Sequence, residues 1–211
     1  MRGLQKVGGV GALLFGVSFV LLFVSNAVIQ PSLGISGPAD GINPAKVFPV
    51  VPMLRLVFAI PILFAVAVVL TALALDERLQ GRAPALLRIA RASGLGGSVL
   101  FLASGMFAFG VLPELASVYS QSSAGVTTAD LALADGVATG LLTAGIFASG
   151  WWVLLASWAA LQGGLPKILS YVGLLFGALS ILAFAVPAFT LLGAFAGIVW
   201  TVWLGIVLWR G

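Results

Sequence analysis

Apolar residues run along this chain in long blocks, and the few polar positions gather in the gaps between them. Six blocks reach the roughly 20 residues that a helix needs to cross a hydrocarbon core of about 30 Å. They lie near 7–29, 51–75, 93–113, 132–161, 166–186 and 189–209. None alternates with the period of two that marks a barrel strand, so helices are the expected way of satisfying backbone groups in lipid. The pattern predicts an all-α fold, a polytopic membrane bundle of six transmembrane helices that forms one domain over residues 1–211. Only Ala185-Val186-Pro187-Ala188 parts the last two blocks. As one helix they would extend about 66 Å, so a tight apolar hairpin is expected.

Composition agrees with a lipid solvent. Apolar residues make up 61% of the chain and charged ones 8%, where a soluble domain carries about a quarter. The placement of the charges sets an orientation. With the N-terminus inside, Arg2, Lys6, Arg78, Arg82, Arg88, Arg91, Lys167 and Arg210 fall on the inner side, and only Lys46 and Arg55 on the outer. That asymmetry follows the positive-inside rule and predicts cytoplasmic termini. Asp40, Glu114, Asp130 and Asp135 are expected outside, Asp76 and Glu77 inside. A composition rich in Ala, Gly and Arg and poor in Lys points to the inner membrane of a high-GC prokaryote. The pI of about 10.1 does not indicate nucleic acid, because the cations are scattered over short connections. The basic start followed by Ser25-Asn26-Ala27 resembles a secretory signal, but the apolar run exceeds a signal core and reads as a retained first helix.

Two outer connections have some length. Gln30–Val50 is rich in Pro and Gly and is expected to oppose regular helix, and the second runs from Pro113 to Thr128. Loops carry function more often than scaffolds do, which favours the outer face as the working face. The inner stretch Asp76–Ala92 reads as amphipathic, with Arg82, Arg88 and Arg91 against anionic headgroups.

Small residues at helical spacing are the packing signal in lipid, since apolar helices gain nothing by leaving a solvent as apolar as themselves. Gly136, Gly140, Ala144 and Ala148 recur every four residues in the fourth block. Gly8, Ala12 and Gly16 do so in the first, Gly173 and Gly177 in the fifth, Gly193 and Gly197 in the sixth. These stripes are expected to be seams within the chain, with a homodimer face along the fourth helix as the competing reading. A weak internal echo aligns Leu4–Gly16 with Leu165–Gly177, which the biased composition explains equally well.

The chain holds no cysteine and no histidine, so the common haem, zinc, copper and iron–sulfur ligand sets are missing, together with thiol chemistry and the serine–histidine pair. Lys6, Lys46 and Lys167 flank spans, leaving no buried lysine for a Schiff base. No phosphate loop of the Walker type occurs and no string of buried carboxylates suggests a proton relay. No enzyme activity, cofactor or metal is expected.

The candidates that remain are binding residues. Arg55 is expected at the outer boundary, either as an interfacial anchor or paired with Glu114 or Asp135 in a polar cluster. Asp130, three residues after Thr127, suits a helix cap. Pro61 is expected to kink the second helix. Trp158 and Trp209 fit an aromatic belt, whereas Trp151, Trp152 and Trp200 lie deeper and would line a pocket for a flat or polyene lipid, or simply pack.

The stretch from Gly145 through Trp151-Trp152 to the turn Gln162-Gly163-Gly164-Leu165-Pro166-Lys167-Ile168-Leu169 resembles a prokaryotic family of six-helix membrane proteins known as a domain of unknown function. In that family a long fourth helix ends in a Gly-x-Leu-Pro-(Arg/Lys)-Ile-Leu turn. The resemblance implies six helices with cytoplasmic termini and transfers no activity. The expected function is that of a non-catalytic membrane protein, either an accessory or scaffolding subunit of a membrane complex or the binder of a lipid-like ligand. The alternative is a small transporter or channel for a hydrophobic or anionic solute. The expected partners are membrane lipids and a protein of the same complex, and no nucleic acid.

Overall fold

The structure, a computed structural model, describes residues 2–35, 43–121, 126–186 and 188–210. Its principal elements are α1 (Arg2–Val24), α2 (Val51–Arg78), α3 (Pro84–Gln121), α4 (Thr128–Ala160), α5 (Lys167–Leu182) and α6 (Phe189–Arg210). No strand occurs among the described residues. Five of the six helices are long and apolar enough to cross a membrane, which makes this a membrane-compatible all-α bundle.

The sixth, α5, is shorter than the expected 166–186. Its 16 residues extend only about 24 Å, less than a full span. The chain leaves the helix at Ala183 through a run of turn hydrogen bonds, Ala183 N to the Leu179 carbonyl and Phe184 N to the Ile181 carbonyl among them. A proline disfavours helix at the residue before it, and Pro187, itself outside the described residues, follows Val186 in the sequence.

Helix α3 departs the other way, running 38 residues where 93–113 was expected. Pro84 opens it, where the missing N–H costs nothing and the ring presets φ. Pro113 lies inside it and does not end it. The expected loop over Asp76–Ala92 is therefore a short turn, Leu79–Ala83, with Gly81 at φ +83° and Ala83 at φ +46°. Arg91 rides on α3, where its Nη1 pairs with Asp76 Oδ2 at 3.2 Å.

The first outer connection holds more helix than its composition suggested. A π-helical turn at Ser25–Ile29 prolongs α1, Pro44–Val47 forms a helical turn capped by Asn43, and Phe48–Val50 forms a 3-10 turn. Gly37, Pro38, Asp40 and Gly41, like Ser122 and Ser123 of the second connection, lie outside the described residues.

Each helix packs on its neighbours in sequence and α6 returns to α1, so the six form a closed ring with both termini at one end. The axis is filled by aromatic rings, at least one from every helix. Phe15 and Phe19 of α1, Phe64 of α2, Phe101 of α3, Trp152 of α4, Phe176 of α5 and Trp200 of α6 are all buried. Most interlock edge to face or tilted, with Phe15–Phe64 at 5.5 Å and 88° and Trp152–Trp200 at 6.1 Å and 85°, while Phe64 and Phe101 stack at 5.2 Å and 25°. Such pairs prefer these geometries because a ring's electropositive edge meets an electronegative face. Phe15 and Phe176 occupy matching positions in the internal echo and both reach this plug, 6.4 Å apart.

Around the ring, glycine lets the helices approach. A methyl at Gly16 would stand 2.8 Å from Thr201 Oγ1, one at Gly105 2.6 Å from Ile62 Cγ1, and one at Gly145 2.7 Å from the Phe101 ring. A methyl at Gly177 would stand 2.7 Å from the Gly150 carbonyl, and one at Gly197 2.8 Å from the Phe176 ring. Gly8 meets Ala74, and Gly173 meets Ser157 Oγ and Trp200 Nε1. Gly193 has only ordinary contact with Leu179 at 3.6 Å.

Candidate functional site

Opposite the termini, the outer connections build a second small core over the bundle. Ile35, Val47 and Phe48 from the first connection and Val126 from the second bury themselves on Leu54 and Leu131. Beneath them is a cavity of about 100 Å³ whose lining includes Leu54, Val57, Leu112 and Leu131, with Gln30 and Asp135 as its polar members. Pockets for drug-sized ligands occupy about 300–1,000 Å³, so this cavity suits only something much smaller.

Of the three expected polar residues only Asp135 lines this cavity, while Arg55 and Glu114 follow its lining residues Leu54 and Leu112 by one and two positions in the sequence. They do not join. Arg55 and Glu114 are exposed, and no ion pair links Arg55 to Glu114 or Asp135 among the described residues. The expected polar pair is therefore corrected to a single carboxylate, Asp135, at the cavity wall.

Asp135 is the eighth residue of α4, whose start is fixed by the expected cap. Thr127 Oγ1 accepts from Asp130 N at 3.3 Å, and Thr127 N donates to Asp130 Oδ2 at 2.8 Å, a reciprocal capping box. Beyond the cap, Asp135, Gly136, Thr139 and Gly140 are all exposed. A methyl at Gly136 or Gly140 would meet nothing within 4 Å. This corrects the expectation that the fourth-helix stripe is a seam within the chain. Only its inner part, Ala144 and Ala148, is half-buried, because α3 approaches α4 along Gly145 and Ser149 instead. In its most apolar stretch α4 buries 17% of its residues, against 33–39% for the other four long helices.

The deep tryptophans also separate. Trp152 and Trp200 are 1% and 0% exposed within the plug, whereas Trp151 is 41% exposed on the outside of the ring. Adjacent residues on a helix point about 100° apart, so Trp151 and Trp152 cannot share a wall, and the expected common pocket does not exist. Trp158 and Trp209 are exposed near the termini end, where an aromatic belt would place them. A larger open concavity of about 310 Å³ lies on the outside of the ring between α1 and α6, lined by Leu13, Gly205, Ile206, Trp209 and Arg210. No three acidic groups come together in a metal-binding arrangement among the described residues.

Compared with protein-family models, curated proteins and solved structures, the chain matches none.

Proposed function

We propose that this is a non-catalytic membrane protein that serves as a subunit of a larger membrane complex, docking a transmembrane helix of another protein along the outer half of α4. The open face of Asp135, Gly136, Thr139 and Gly140 carries this reading. A carboxylate facing lipid costs up to about 3 kcal/mol near the helix centre, a cost that disappears if a neighbouring helix supplies a cation or amide donor. The glycines beside it permit close backbone approach, and Thr139 adds a hydroxyl for an interhelical hydrogen bond. The partner that fits bears an Arg, Lys, Asn or Gln at the depth of Asp135. A second copy fits less well, because a two-fold axis along this face would bring two Asp135 carboxylates to the same depth.

The absence of cysteine makes the test clean. Gly140→Cys gives the chain its one thiol, and a thiol-directed cross-linker in native membranes should yield one discrete heteromeric adduct. The same experiment with Ile206→Cys, on the lipid side of α6, should not. Adding Asp135→Ala should reduce the adduct about tenfold, the loss of one charge-assisted contact. Equal adducts from both positions, or no dependence on Asp135, would overturn the proposal, and an adduct of twice the chain mass would replace the foreign helix with a second copy.

A transporter or channel has weaker support, since the aromatic plug fills the axis and Arg55 forms no outer ion site with Asp135. For a lipid-like ligand held between the helices, the supporting observation is the α1–α6 concavity, whose size and apolar lining suit an acyl chain.

A further inference from the structure

We infer that the termini end of the bundle carries a phosphate-binding site, formed by Arg78 and Arg82 over the turn between α4 and α5. The ligand chemistry is a phosphate monoester or diester, which an anionic phospholipid headgroup or a free phosphate group would supply.

The two arginines converge on Gly163-Gly164. Arg78 Nε donates to the Gly164 carbonyl at 2.9 Å. The Arg82 guanidinium lies against both glycines, so that a methyl at Gly163 would stand 2.5 Å from its Nη1 and one at Gly164 2.7 Å. Both glycines take positive φ, +119° and +98°, which L side chains resist. Sequence and backbone thus keep this place bare for the guanidinium.

Arg82 Nη1 is buried and has no hydrogen-bond partner among the described residues. A buried charged N–H without an acceptor is costly, and native structures supply one. The chain does not. Of the two acids at this end, Asp76 is paired with Arg91 and Glu77 accepts from Gln5 Nε2 at 2.9 Å. Seven described cations sit at this end against those two acids, so the acceptor that fits is an external anion.

Three features select phosphate. The planar arginine fork matches tetrahedral oxyanions in a bidentate manner. The 16-residue α5 begins three residues beyond Gly164 with Pro166 at its N-cap and no side-chain cap, so its positive dipole end faces the same turn. Exposed Trp158 and Trp209 mark the interfacial belt at this end, the depth of lipid phosphates.

The test uses the full chain, delipidated in neutral detergent and read by native mass spectrometry and thermal unfolding. The probes are phosphatidylglycerol, phosphatidylcholine and inorganic phosphate. Wild-type protein should retain phosphatidylglycerol over phosphatidylcholine, and Arg82→Gln should weaken that retention at least about tenfold. Lys6→Gln, an exposed cation at the same end, should leave it unchanged. If inorganic phosphate displaces the lipid, the site takes a free phosphate group. If it does not, the site reads the lipid headgroup. Should Arg82→Gln not fold, Arg82→Lys keeps the charge and loses the fork, and it should still bind several-fold more weakly. Wild-type binding by either Arg82 variant, equal weakening by Lys6→Gln, or no binding of any probe would overturn the inference.

Discussion

At Gly173 the missing side chain is what lets Ser157 Oγ and Trp200 Nε1 converge on the α5 backbone. Adding one methyl there overpacks a full interior, so Gly173→Ala should destabilise by about 1–3 kcal/mol, visible as a lowered thermal midpoint in detergent. In the same assay on the isolated chain, Gly140→Ala should not destabilise and should gain up to about 1 kcal/mol of helix propensity, because nothing lies within 4 Å of it to clash. The two glycines look alike in the sequence, each within a four-residue repeat of small residues. Periodicity identifies a smooth face and says nothing of what stands opposite, which is why the fourth-helix stripe read as an internal seam. Gly164 differs again. With φ +98° beside Arg82, Gly164→Ala should lose roughly 1–2 kcal/mol from the backbone alone and weaken phosphatidylglycerol retention as well.

Among the elements, α4 shows what short-range sequence can tell. Thr127 and Asp130 stand three apart, and their capping box depends on no distant residue, so it was legible from the chain alone. Thr127→Ala should cost about 1 kcal/mol and speed amide exchange in the first turn of α4, with little effect at Trp152 in its buried half. Helix α3 was misjudged because Pro113 and Glu114 read as a stop. A proline inside a helix removes its own donor and crowds the carbonyl four residues back, which bends a helix without having to end it. The shortness of α5 was hidden because its turn, Ala183 to Val186, is as apolar as the helix before it. Hydropathy alone cannot place an end that both neighbours share.

For the molecule as a whole, the central plug was the least legible feature, since its rings come from six helices and no local pattern joins them. Trp152→Ala should cost about 3–5 kcal/mol by leaving a void that the other rings cannot fill, measurable by denaturant unfolding in mixed micelles. Liposomes carrying wild-type protein should hold an ion gradient as well as empty ones, because buried aromatic rings from all six helices fill the axis. The closed ring has a further consequence in time. Helix α1 is made well before α6, yet its Gly9 and Gly16 face Gly205 and Thr201 of that helix. At roughly 5–20 residues per second, on the order of ten to forty seconds separate the two during synthesis. Throughout that interval the glycine edge of α1 has only lipid or the insertion machinery beside it. A chain stalled ahead of Phe189 would carry that edge permanently open, a mark by which membrane proteases and chaperones can tell an unfinished molecule from a finished one.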